Sequence, residues 1–146
     1  MNNPALQQLV RQHAPGERES VALALAFVQR VRHLLEDERV IALLDAGTRW
    51  AEDAAAAPQR RQALADEAAQ LARSHPGSRS IDGTAHAAVS ASHAVACALR
   101  GRVLDAADYA AYAAVYAYSA SAVLSPEAFE DEHVWQVSLA ARMLRV

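Results

Sequence analysis

Residues 84–124 read TAHAAVSASHAVACALRGRVLDAADYAAYAAVYAYSASAVL, and the reading of this stretch decides the fold. At helical spacing Ala87, Ala91, Ala94 and Ala98 form one bare stripe, at i, i+4, i+7 and i+11. Gly101 interrupts the run, and beyond it Ala106, Ala110, Ala113, Ala117 and Ala120 repeat the spacing. Helices with only methyl groups on their facing seams approach closer than the usual ~8–10 Å between axes. Gly101 supplies the left-handed conformation that commonly ends a helix. The stretch therefore predicts a tight antiparallel hairpin, with arms from Asp82 or Thr84 to Arg100 and from Asp105 to Val123.

The composition carries the same message outward. Alanine makes up about a quarter of the 146 residues, while Gly and Pro number five each. Alanine has the lowest helix cost of any residue, and β-branched and aromatic residues are too few for a sheet of normal size. The chain is long enough for one domain with its own core. The expected fold is all-α, a single compact bundle of about six to seven helices covering residues 1–146.

On the N-terminal side of the hairpin, Asn3-Pro4 gives a cap and first-turn proline for a short helix that stops before Ala14-Pro15-Gly16. A second helix is expected from Glu17 to Leu35, with Val21, Leu25, Val28, Val31 and Leu35 facing inward. Asp37 caps a third, running to Trp50. Pro58 opens a fourth, to about Ser74, and His75–Ser80 is the longest polar connection and the expected mobile loop. On the other side, Ser125-Pro126 predicts the start of a last helix to about Arg145, with Glu127, Glu130, Asp131 and Glu132 at its dipole-favoured end.

Several function classes are disfavoured at once. All fourteen basic residues are Arg, scattered along a chain of net charge −3, whereas a nucleic-acid binder concentrates positive charge on one face. No run approaches the ~20 apolar residues that span a bilayer. Val21–Val28 has the length of a signal-peptide core, but acidic residues precede it and its helical period continues through Arg30 and Arg32, so it reads as a buried helix. The single Cys97 rules out an internal disulfide. A cytoplasmic protein binding neither nucleic acid nor membrane is expected.

Four patterns carry candidate chemistry. His86, Ser90, His93 and Cys97 share one stripe of the first arm. Yet the two histidines stand ~10.5 Å apart along the axis at 1.5 Å per residue, too far for one ion held by ~2.0–2.1 Å bonds. A polar seam between helices is the plainer reading. Glu130-x-x-His133 matches half of a carboxylate-bridged di-iron site, but such sites need a second copy and the sequence holds none. Ser90, His93 and Asp105 group as a triad by eye, without the strained turn and oxyanion donors of a nucleophile elbow. Tyr109, Tyr112 and Tyr116 line one side of the second arm, with Tyr118 turned away, either as packing or as an aromatic binding face. No cofactor motif, metal set or catalytic set emerges. The acidic groups Glu36-Asp37-Glu38, Glu52-Asp53, Asp66-Glu67 and Glu130-Asp131-Glu132 read as solvated helix ends, or, if they converge, as a patch that steers a basic partner.

Three local patterns add a resemblance. Arg49-Trp50-Ala51 follows an apolar helix. Ala91-Ser92-His93-Ala94-Val95-Ala96-Cys97-Ala98 leads, after a turn, to Ala107-Asp108-Tyr109-Ala110, and Glu132-His133-Val134-Trp135-Gln136 lies near the C-terminus. Together they resemble the alanine-rich, all-helical immunity-protein family of bacterial polymorphic toxin systems. There a Trp-Ala segment, a Gly-His-Ala-Val-Ala-Thr-Ala-His helix, an Ala-Tyr-Ala helix and a terminal Trp-Gln recur in this order. The chain departs by carrying Ser92 at the usual Gly and Leu99 at the usual second His. The resemblance spans roughly Val21 to Leu144 and implies a non-enzymatic antidote that binds and blocks a cognate protein toxin. On that reading Glu130, Asp131 and Glu132 surround an aromatic anchor drawn from Trp50, Tyr109, Tyr112 and Trp135, with His93 beside it. The alternatives are a small enzyme or metal- or ligand-binding protein centred on His86, His93, Cys97, Tyr109 and Tyr112, and a self-associating helical adaptor forming a homo-oligomer.

Overall fold

The computed structural model describes residues 2–75 and 84–145. Seven α-helices are present among them: α1 Pro4–His13, α2 Glu17–Gln29, α3 Glu38–Glu52, α4 Pro58–Arg73, α5 Thr84–Leu99, α6 Val103–Tyr118 and α7 Glu130–Leu144. The described residues contain no strand. The expected connection His75–Ser80 lies, apart from His75, outside the described residues, as does Asp82.

The starts follow the capping chemistry. Asn3 Oδ1 accepts from the Leu6 amide at 3.3 Å, with Pro4 in the first turn of α1. Asp37 Oδ1 accepts from the Arg39 amide at 2.9 Å at the head of α3. Gly101 takes φ +72° between α5 and α6.

Four expected boundaries are corrected. The helix expected to reach Leu35 ends at Gln29, and Arg32–Leu34 form a 3₁₀ turn. The tighter winding keeps Val31 and Leu35 buried while sending the Arg32 guanidinium across to the Asp45 carboxylate of α3. The second arm of the hairpin starts at Val103 rather than Asp105 and stops at Tyr118 rather than Val123. Ser119 is extended there, and Ala120–Leu124 wind as 3₁₀. Ala117 and Ala120 are therefore exposed and the methyl stripe of this arm ends at Ala113. Ser125-Pro126 does not open the last helix. The Ser125 hydroxyl bonds Glu127 at 2.6 Å and a 3₁₀ turn over Pro126–Phe129 comes first. That turn seats Phe129, 2% exposed, on Ala111 and Val115 of α6.

Helix α5 is the axis of the bundle. It packs most extensively on α6, then on α4, α2 and α3. Ala87, Ala88, Ala91, Ala94, Val95, Ala98 and Leu99 are completely buried along it. A helix apolar on nearly all sides belongs in the interior. Among the described side chains of α5, the line His86, Val89, His93, Cys97 reaches solvent. Where α3 passes this core it carries Gly47. A Cβ there would run into Leu99 Cδ2 and meet Leu25 Cδ1 at 3.3 Å, so glycine permits the close approach.

Polar side chains lock the helix ends. Arg18 donates to the carbonyls of Trp50, Asp53 (2.8 Å) and Ala56 (3.1 Å), closing the C-terminus of α3. Arg61 of α4 donates to the Leu99 carbonyl at 2.9 Å and sits 2.6 Å from Glu17. Gln136, 1% exposed, donates to the Ala107 carbonyl at 2.9 Å and accepts from Asn3 Nδ2 at 3.1 Å. Through it α1, α6 and α7 share one buried hydrogen-bond network.

Candidate functional site

The surviving surface of the central hairpin is built by register. The His86 ring lies 5.2 Å from that of Tyr116, and the His93 ring stacks on Tyr109 at 5.3 Å with an interplanar angle of 22°. Running antiparallel, these two rungs bring Ser90 level with Tyr112 and Cys97 level with Asp105. Tyr112 in turn stacks on Tyr116 at 5.6 Å. The polar stripe of α5 and the tyrosine stripe of α6 thus form one continuous rim along the open side of the hairpin. Below it the methyl stripes are buried.

The electrostatics of this rim follow from its half-burial. Burial, and next the positive charges of His75 and Arg73, push the His93 imidazole below its usual range. That setting favours its neutral form. Burial, followed by the nearby Asp105 carboxylate, pushes the Cys97 thiol up. A thiol held protonated is a poor nucleophile and a poor metal ligand. Burial also raises Asp108 and the like charge of Asp105 adds to it, while the N-terminal amine and His133 pull the other way. Asp105 itself pairs with Arg102 at 2.6 Å.

Asp105, Asp108, Tyr109 and Tyr112, at i, i+3, i+4 and i+7, line a recess of about 380 Å³ that Ser90 closes from α5. On the other side of the two aspartates a smaller hollow of about 190 Å³ reaches Asn3, Leu6 and Gln7 of the N-terminal segment. A groove of about 330 Å³ is lined by Ala22, Leu25, Ala26 and Ala51 with Gln29, Thr48 and Glu52 at its side and Met143 of α7, and holds no aromatic ring. The recess on α6 is where aromatic, hydroxyl and carboxylate groups converge.

The residues singled out in the sequence divide into three places. His93, Tyr109 and Tyr112 come together on the rim, with Tyr109 40% exposed. Glu130, Asp131, Glu132 and Trp135 form a separate group on α7. There Glu132 accepts two hydrogen bonds from Arg30, at 2.7 and 3.3 Å. The same guanidinium lies 4.3 Å over the Trp135 ring, and Phe27 meets that ring edge-on at 6.2 Å. Glu132 and Trp135 are thus committed to holding α7 on α2, while Glu130 and Asp131 stay exposed beside Val134.

Trp50 is in a third place, enclosed by the fold rather than presented on the surface. It is 5% exposed, its indole N–H donates to the Ala57 carbonyl at 2.9 Å, and the Arg18 guanidinium covers its ring at 4.1 Å. Gln136 likewise is a core residue.

The chemical groupings considered from sequence do not assemble. Among the described residues no three His, Cys, Asp or Glu side chains are placed to hold a metal ion. His86 and His93 each face a different tyrosine, and no hydrogen bond joins Ser90, His93 and Asp105. His133 packs its ring 5.9 Å from that of Phe129. Sequence reasoning missed Asp108. The available signal was its place beside Asp105, Tyr109 and Tyr112 on one helical face. No helix among the described residues is long and apolar enough to cross a membrane. No family model matches the chain, and neither a curated protein nor a solved structure matches it.

Proposed function

We propose that the chain is a protein-binding antidote that neutralises a cognate bacterial toxin by direct contact, without chemistry of its own. Two independent features support this reading. One is the ordered set of motifs around Trp50, His93, Tyr109 and Trp135-Gln136 that resembles the immunity-protein family. The other, which carries the most weight, is the rim itself: the His93–Tyr109 stack stands beside Asp105, Asp108 and Tyr112 on two helices whose methyl stripes are buried beneath it. Tyrosine supplies large, amphipathic contact area at low entropic cost, and the neighbouring carboxylates favour a partner that presents basic groups. Exposed Glu130 and Asp131 form a second negative group, on α7.

Co-expression with the toxin encoded beside this gene tests the proposal. Growth rescue and a stoichiometric complex are expected. A Tyr109→Ala/Asp108→Ala double variant that keeps its helical circular dichroism should lose both. Failure of the wild-type chain to rescue growth or form a complex would end the antidote reading.

One observation favours self-association as a second reading. Tyr118 and Leu124, at and just beyond the C-terminal end of α6, are 89% and 85% exposed, and a second copy of the chain that covered both would remove their apolar surface from water. Light scattering decides it: a dimer mass that falls to the monomer in Leu124→Asp supports it, and a monomer for the unmodified chain removes it.

A further inference from the structure

We infer that the recess lined by Ser90, Asp105, Asp108, Tyr109 and Tyr112 is a binding site for a compact organic cation, an ammonium or guanidinium group. The first observation is Ser90. It is only 9% exposed, it faces the recess, and its hydroxyl has no hydrogen-bond partner among the described residues. A helix-interior serine often bonds back to a carbonyl of the preceding turn; Ser90 does not, and its oxygen opens onto the recess instead. This hydroxyl is available to a guest.

The second observation is Asp108. Its half-buried carboxylate has neither ion pair nor hydrogen bond among the described residues, whereas Asp105 next to it is already neutralised by Arg102 at 2.6 Å. Of the two carboxylates Asp108 is the one without a side-chain ion pair, and the N-terminal amine and His133 act on it only by favouring its charged form. Tyr109 and Tyr112 add the third element, since aromatic rings attract cations at their faces and their hydroxyls accept hydrogen bonds.

These groups together select the guest. An anion would face two carboxylates. A neutral apolar molecule would strip water from Asp108 and leave Ser90 unsatisfied. An ammonium brings three donors and a guanidinium five, enough for the carboxylate, the serine hydroxyl and a phenol oxygen at once. The volume of about 380 Å³ falls at the lower end of the roughly 300–1,000 Å³ of small-ligand sites, suited to a head group with a short chain. The inference does not depend on a toxin partner. The cation can arrive on a free amine or as a Lys or Arg side chain.

Titration of the full chain with agmatine, followed by calorimetry and by amide and tyrosine-ring NMR shifts, tests it. Saturable binding is expected, with shifts confined to residues around Ser90, Asp108, Tyr109 and Tyr112. Asp108→Asn should weaken it at least tenfold and Ser90→Ala by a few-fold. Asp66→Asn, on the exposed face of α4, should leave it unchanged. N-acetyl-arginine methylamide distinguishes the two sources: tighter binding than agmatine points to a protein side chain, weaker binding to a free amine. The inference is overturned if neither probe binds, if butanol binds as well as agmatine, or if Asp108→Asn and Asp66→Asn weaken binding equally.

Discussion

A carboxylate that is half-buried beside a second carboxylate costs free energy whenever it is charged, and Asp108 is in this position. Its folded-state pKa is raised from 3.8, by burial first. Between that value and the raised one, the folded state binds more protons than the unfolded state, so stability falls as pH rises through this window. Asp108→Asn should therefore stabilise the chain at neutral pH, with the gain shrinking toward zero as pH drops to about 4. Thermal melts of both proteins across pH 4–8 check this, and a constant difference would contradict it. Asp37 is the opposite case. Hydrogen bonds from the Arg39 side chain hold its pKa below 3.8, so its contribution is present at neutral pH and lost as pH falls through the lowered value. Asp37→Ala should also remove the cap of α3 and cost about 1 kcal/mol, read as a lower urea midpoint at pH 7.

At the scale of elements, the molecule depends on how closely its helices approach. The buried methyl stripes of α5 and α6 let the arms meet, and Gly47 does the same where α3 passes Leu25 and Leu99. Replacing Gly47 by Ala gains up to about 1 kcal/mol of helix propensity. It also forces a methyl onto Leu99, itself 0% exposed and unable to swing aside, and overpacking of this kind costs about 1–3 kcal/mol. Net destabilisation of about 1–2 kcal/mol is expected from chemical unfolding, and a more stable Gly47→Ala protein would show that the α3 contact is looser than described. The hairpin was legible in advance because Ala periodicity and Gly101 are local signals. The early end of α6 was not: alanine continues past Tyr118 in sequence, and what stops the helix is the burial of Phe129 against Ala111 and Val115, a contact between segments fourteen or more residues apart.

On the scale of the whole molecule, the first and last helices are joined through Asn3 and Gln136. Removing one partner of a buried hydrogen bond costs about 1–3 kcal/mol, and groups in one network are not additive. Asn3→Ala and Gln136→Leu should each destabilise. The double variant should lose less than their sum by at least about 0.5 kcal/mol, as measured by a urea double-mutant cycle. Strict additivity would mean that α1 and α7 are held independently.

Composition and helical period determined the all-α class, the central hairpin and the stripes of its two arms, because each of these is written in spacings of three and four residues along one helix. Tertiary structure alone decided which side chains have surface to offer. Trp50, Trp135 and Glu132 look alike in sequence to groups that meet a partner, yet Arg18 and Arg30, each far away in the chain, claim them for the fold. Asp108 and Ser90, unremarkable along the chain, become a candidate site only because an antiparallel register sets one helix against the other. Exposure and pairing are properties of the packed whole, and no local pattern encodes them.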